Sequence, residues 1–234
     1  MSQDKLTTSW YFSSPIYFLH KDEWVKDLTK ITDPYIKLAK NKNKKFISER
    51  NKNWGGDKKD HGLSHHSTTL INRPGLQKFT NWIEATTWNL LDEQGYDLSN
   101  YKIFTTELWV QEFAEAGGGH HQLHTHYNGH ISGFYFLKAS EKTSLPIFDD
   151  PRPGKVMNDL PQKDMNKLTP SSTQVNYSVR PGNLIIFNSY LPHQFRVDDA
   201  YEPFRFIHFN CRAIPINDVL SKYGEKRTDN EDNK

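Results

Sequence analysis

The sequence has almost no cysteine. Cys211 is the single cysteine among 234 residues, so an internal disulfide is impossible and a cysteine-based zinc cluster is excluded. Any catalytic or metal-binding chemistry must therefore come from histidine, carboxylate and arginine side chains.

The sequence also lacks long apolar runs and a strong net charge. No stretch approaches the roughly 18 to 20 apolar residues of a membrane span, and the N-terminus, MSQDKLTTSW, lacks the charged-then-apolar order of a secretory signal. Lys and Arg total 30 against 28 Asp and Glu, so nothing in the overall charge calls for nucleic acid or an anionic membrane. We expect a cytoplasmic protein with no membrane contact and no nucleic-acid partner, and the oligomeric state stays open.

Two helical patterns precede residue 100. From Lys21 to Leu38 the apolar residues recur at steps of three and four, with a kink expected at Pro34, and a second such pattern follows Pro74-Gly75. Between them, residues 40–60 are rich in Lys and Asn and contain Gly55-Gly56, which favours a mobile surface connection. A nucleic-acid patch is the alternative interpretation of these lysines.

After residue 100 the pattern changes to short β-rich runs separated by turns. These runs are YKIFTTELWVQEF, HISGFYFL, SLPIF, TQVNYSV, NLIIFNS, HQFRV and FRFIHFNC. Short strands at this spacing are typical of an all-β sandwich or barrel. We therefore predict one domain over residues 1–224, with a helical part at about 15–100, a β core at about 101–215 and a disordered tail at 225–234.

A dense histidine cluster follows the three glycines at 117–119. Its members, within 11 residues, are His120, His121, His124, His126 and His130. Residues i and i+2 of an extended chain point to the same face, so His124 and His126 can chelate one ion. A third ligand must come from elsewhere in the chain, and His193 is the best candidate, because it follows a Pro-Gly turn and an apolar strand that ends in a polar loop.

Arg205 stands in the final β run, where its neighbours are nearly all apolar. An unpaired guanidinium in such a place is too costly to bury. Either Arg205 faces solvent, or it pairs with a carboxylate of the protein, or it binds a carboxylate ligand in bidentate fashion.

Together these motifs resemble a family of 2-oxoglutarate/Fe(II) oxygenases related to the prolyl hydroxylases. The resemblance rests on the order H-x-H, S-G-F-Y-F-L, D-P-R-P, P-G-x-L-I-I-F-x-S-x-x-x-H and an Arg in the last strand. It implies a double-stranded β-helix with helices packed outside, with Fe(II), 2-oxoglutarate and O2 as cofactor and cosubstrates. It also implies that His124, His126 and His193 bind the metal, that Arg205 holds the far carboxylate of 2-oxoglutarate, and that the activity is hydroxylation of an unknown small-molecule or protein substrate.

The sequence departs from the family pattern at one ligand. The common metal triad is two histidines and one carboxylate, and His126 stands where the carboxylate is expected. Either the site has three histidines, or a carboxylate such as Asp149 or Asp150 replaces one of them. Three further residues are candidates for hydrogen bonds to the ligands or the cosubstrate, with turn or core roles as the alternative: Asn128, Ser132 and Tyr135.

Two other functions remain open from the sequence. The set H-x-H plus a distant His is also that of cupin-like three-histidine dioxygenases, which need no oxoacid. A non-enzymatic β-sandwich binding protein would carry the same strands without the chemistry. Activity that depends on 2-oxoglutarate would distinguish a 2-oxoglutarate oxygenase from the cupin-like dioxygenase. Bound metal in the purified protein would distinguish either enzyme from the non-enzymatic binding protein.

Overall fold

Two facing antiparallel β-sheets and two long helices form the molecule. The structure is a computed structural model and describes residues 7–9, 11–158 and 160–219. The predicted disordered tail at 225–234 lies outside the described residues. The strands are β1 (Ile16–His20), β2 (Ser64–His66), β3 (Tyr101–Phe113), β4 (His121–His124), β5 (Ile131–Lys138), β6 (Pro146–Asp149), β7 (Gln174–Asn176), β8 (Asn183–Asn188), β9 (His193–Phe195) and β10 (Arg205–Pro215). The helices are α1 (Val25–Trp54), α2 (Gln77–Glu93) and the short α3 (Pro153–Met157).

The strand order is that of a double-stranded β-helix. The large sheet has the order β1-β8-β5-β10-β3-β2 and the small sheet the order β4-β9-β6-β7. Every pairing between these strands is antiparallel. The predicted mainly-β jelly roll with helices outside is therefore confirmed.

Two separate apolar cores cover the two faces of the large sheet. The space between the sheets is filled with phenylalanine, including Phe134 of β5, Phe187 of β8 and Phe206 of β10, against Phe148 and Phe195 of the small sheet. The outer face packs against α1 and α2. Because both faces of the central strands are buried, they are almost continuously apolar.

The first helix is longer than the sequence predicted. Helix α1 runs through Pro34 and continues to Trp54, so much of the expected surface connection at 40–60 is helical. Lys, Arg and Glu are good helix formers, and Gly55 ends the helix in the left-handed conformation at φ 67°. The expectation of a mobile loop beginning at residue 40 was wrong.

The helices add no membrane-spanning element. Within the described part of the chain, none of them combines the length and the apolar character needed to cross a bilayer.

Candidate metal centre

Strand pairing in the small sheet brings the histidine cluster to His193. Strands β4 and β9 are antiparallel, and His124 is the direct register partner of His193. His126 lies two residues beyond β4, where its backbone N–H donates to the Ser189 carbonyl at 2.9 Å. Residues separated by almost 70 positions therefore meet at one end of the two sheets.

Three histidine side chains converge there. One ring nitrogen from each of His124, His126 and His193 lies within 4.8 Å of the others. The Nε2 atoms of His126 and His193 are 3.2 Å apart. Two nitrogens that lie about 2.1 Å from one ion are separated by roughly 3.0–3.4 Å, so this spacing suits a shared metal.

Backbone carbonyl groups orient two of these rings. His193 donates its Nδ1–H to the Leu191 carbonyl at 2.9 Å, and His124 donates its Nδ1–H to the Gln122 carbonyl at 2.7 Å. In this tautomer the Nε2 lone pair of each ring is free. Such outer hydrogen bonds are the usual means by which proteins aim a histidine ligand at a metal.

Burial keeps His126 and His193 uncharged. It lowers the pKa of His193 to about 3. Burial, followed by the neighbouring His124, lowers the pKa of His126 to about 4. Neutral imidazole is the form that binds a metal, so the cluster is ready to do so at pH 7.

Neither candidate carboxylate belongs to this cluster. Asp149 accepts a hydrogen bond from Gln174 Nε2 at 2.6 Å, and Asp150 is paired with Arg152 at 2.7 Å. The donors that the structure brings together are therefore the three predicted histidines. Their role as ligands remains a prediction, which the Nε2 spacing and the fixed tautomers support.

Other histidines and an aromatic side chain lie next to the three histidines. The ring of His208 stacks on Trp109 with centroids 4.4 Å apart, and its Nε2 is 3.2 Å from Nε2 of His126. On the other side of Trp109 lies His66, with centroids 4.2 Å apart. His121 donates from Nε2 to Gln111 Oε1 at 2.7 Å. The sequence analysis did not single out His208, although a lone histidine in an apolar strand was the available signal.

Arg205 does not face the histidines. Phe206 and His208 point between the sheets, whereas Arg205 bonds to side chains on the helix side: its Nε donates to Glu112 at 2.6 Å and its Nη1 to Asp33 of α1 at 2.5 Å. Arg205 is 3% exposed and Glu112 is 1% exposed. Two carboxylates of the chain thus hold the guanidinium in a buried ion pair, and the expected role of Arg205 as a clamp on 2-oxoglutarate stays a prediction.

The other expected helpers of the site have structural partners. The Ser132 hydroxyl donates to Asn210 Oδ1 at 2.6 Å and lies 2.8 Å from the Ser189 hydroxyl. The Tyr135 hydroxyl donates to the Lys21 carbonyl at 2.5 Å, on the helix side of the sheet. Asn128 is exposed in the turn before β5. The expected contacts of these three residues with the metal ligands or the cosubstrate stay predictions.

An open cavity of about 510 Å³ lies beside His126. Four tyrosines and one carboxylate are among its lining residues: Tyr96, Tyr101, Tyr127, Tyr190 and Asp97. Lysine and arginine are absent from this lining. The cavity therefore suits a neutral or cationic group better than an anion.

Part of the chain matches a known protein family. Residues 107–210 match the family described as "Putative 2OG-Fe(II) oxygenase". No curated protein matches the sequence. Among solved structures, the chain is similar to an oxidoreductase of the 2OG-Fe(II) oxygenase family from Burkholderia pseudomallei, at 12% identity and a TM-score of 0.42, over 61% of this chain and 60% of that one. It is also similar to a prolyl-4-hydroxylase from Pseudomonas putida, at 12% identity and a TM-score of 0.48, over 86% of this chain and 94% of that one.

The family match covers all the strands that build the centre. His124, His126 and His193 lie within the matched residues, as do Arg205 and His208. The family description names Fe(II) and 2-oxoglutarate, and three converging imidazoles fit the metal. The resemblance predicted from the motifs is therefore confirmed for residues 107–210, which match this oxygenase family.

Proposed function

We propose that the chain is a 2-oxoglutarate-dependent oxygenase, acting as a hydroxylase, whose Fe(II) is held by His124, His126 and His193. The observation that carries the proposal is the convergence of these three side chains within 4.8 Å, inside the region that matches the oxygenase family. When bound, Fe(II) with 2-oxoglutarate and O2 supplies the oxidising chemistry of that family.

The chain itself contributes orientation and a dry environment. His124 and His193 are aimed by backbone carbonyls, and the Phe134 and Phe187 rings pack against His193 with centroids 5.6 and 4.7 Å away. These apolar rings would exclude water from the His193 side of a bound metal.

The cavity beside His126 is the proposed place for the prime substrate. It reaches His126 at the rim of the centre, and its lining residues include no lysine or arginine, so a neutral or cationic group fits there. A small molecule and a protein side chain both satisfy this chemistry. A cytoplasmic location is part of the same proposal, supported by a lone cysteine that is buried and free.

The test is release of succinate from 2-oxoglutarate by the Fe(II)-loaded protein. Wild-type protein should form succinate in proportion to bound iron, even without a prime substrate. His193→Ala should form none. The matched control is His120→Ala, which removes an exposed histidine outside the three-histidine cluster. Its Nδ1 bonds to the Gly118 carbonyl at 3.1 Å, and the variant should behave like the wild type.

A three-histidine dioxygenase that needs no oxoacid is the second candidate. One observation favours it: the arginine expected to hold the oxoacid is bound by Glu112 and Asp33. Iron-dependent O2 consumption that is indifferent to 2-oxoglutarate would support this candidate over the first.

A further inference from the structure

A fourth histidine, His208, lies beside the candidate ligands and is itself buried. It lies on β10 with its ring between the sheets and is 1% exposed. Its Nε2 is 3.2 Å from Nε2 of His126. Its Nδ1 has no hydrogen-bond partner among the described residues.

The unpartnered Nδ1 indicates which nitrogen carries the hydrogen. A buried N–H group without an acceptor is rarer and more costly than a buried acceptor atom that receives no hydrogen bond. A neutral His208 therefore carries its hydrogen on Nε2. In the metal-free protein this Nε2–H lies against His126 Nε2 at 3.2 Å, and it donates to that atom in the tautomer of His126 that carries its hydrogen on Nδ1.

Metal binding must change this hydrogen bond. The lone pair of His126 Nε2 is the one that the ion would use, so His208 would lose its acceptor. Its ring is held in place by Trp109, stacked at 4.4 Å and 21°, and by Phe134 at 5.5 Å. The Nε2–H would then point, fixed and without a partner, at the space next to the metal.

We propose that His208 is a binding residue for the oxygen-donor ligand of the metal, donating its Nε2–H to an oxygen of a carboxylate that chelates the ion beside His126. The inference rests on the proposed metal site and deepens it. It also identifies a hydrogen-bond donor for the cosubstrate inside the sheets, where Arg205 does not reach.

Binding of oxalate to the Co(II)-loaded protein tests this role without turnover. Co(II) replaces Fe(II), and oxalate presents two adjacent carboxylate groups, as chelating oxoacids do. Calorimetry would first give the Co(II) affinity of each variant and then the oxalate affinity of the Co(II) protein. The visible spectrum of Co(II) would report any change in its ligands.

Three variants of His208 separate the possibilities. His208→Leu removes the donor, and His208→Asn places its amide near the position of Nδ1, so both should bind oxalate about tenfold more weakly, as expected for loss of one hydrogen bond to a charged group. His208→Gln places an amide near the position of Nε2 and should stay within about threefold of the wild type. Co(II) affinity and the Co(II) spectrum should not change in any of them. Phe206→Leu, on the same face of β10, controls for repacking.

Two results would overturn the proposal. Weaker Co(II) binding and an altered Co(II) spectrum in His208→Asn would make His208 a metal ligand. Unchanged oxalate binding in both His208→Leu and His208→Asn would leave it a packing residue. A protein that binds Co(II) and oxalate as described but releases no succinate would contradict the proposed function and leave the role of His208 standing.

Discussion

Replacing Arg205 by alanine distinguishes a structural ion pair from a cosubstrate clamp. The change leaves the carboxylate of Glu112 buried, with 1% exposure. Removing one partner of a buried ion pair costs about 3–5 kcal/mol. Two lysines remain near Glu112, Lys40 at 2.6 Å and Lys138 at 3.3 Å, and the Asp33 side chain is 57% exposed. We therefore expect a smaller loss of unfolding free energy, about 2–3 kcal/mol.

Denaturant unfolding at pH 7 measures this loss. If the orphaned carboxylate is its cause, Arg205→Ala combined with Glu112→Gln should be more stable than Arg205→Ala alone. Co(II) affinity should be unchanged in both, because the ion pair is on the helix side of the large sheet. The reasoning would be refuted by an Arg205→Ala protein of wild-type stability whose 2-oxoglutarate affinity has fallen on the order of 100-fold, the size expected when one member of a buried charge pair is truncated.

Two further predictions concern the histidines. His126→Asp should bind metal more tightly than His126→Ala, since a carboxylate still supplies a donor beside His193. The loss of metal affinity in His126→Ala should exceed the roughly 10–100-fold loss that follows removal of an outer hydrogen bond to a ligand. Equal Co(II) affinities of the two variants by calorimetry would show that His126 is not a ligand. Stability without metal should fall as the pH drops from about 6.5 to about 4, because the pKa values of His121, His126 and His193 are lowered in the folded state to about 4, 4 and 3. The unfolded chain then binds more protons in that window. Unfolding midpoints measured at several pH values check the slope, and a flat profile would contradict it.

The strands and the three converging histidines were accessible from the sequence because they depend on local pattern. The run YKIFTTELWVQEF is β3 from end to end, and the run at 183–189 contains β8. His124 and His126 share a side by the period-two rule, and the Pro-Gly turn before β8 indicated where His193 would return. Local periodicity was sufficient at these positions.

The orientation of Arg205 and His208 was not accessible in the same way. Strand β10 is buried on both faces, with Phe206 toward the small sheet and Phe209 toward the helices, so its pattern does not indicate which face is which. A register shift between Arg205 and Phe206 in the pairing with β5 adds to this ambiguity. Only the three-dimensional pairing places Arg205 against Glu112 and His208 against His126.

The length of helix α1 could not be predicted from local sequence pattern either. Residues 40–54 carry mostly polar side chains, and a helix that is polar on most sides has no clear apolar face in its sequence. Its anchors are contacts distant in sequence, such as Lys40 with Glu112 and Glu115. These contacts are not visible as periodicity.

The most direct measurement of the central claim is anaerobic titration of the protein with Fe(II) and then with 2-oxoglutarate, followed by visible absorption. Chelation of the oxoacid by bound Fe(II) gives a charge-transfer band, which neither component gives alone. We predict that the band appears in the wild type with one Fe(II) per chain, persists in His120→Ala and is lost in His193→Ala. A wild-type protein that binds Fe(II) but develops no band, or a His193→Ala protein that keeps the full band, would contradict the account.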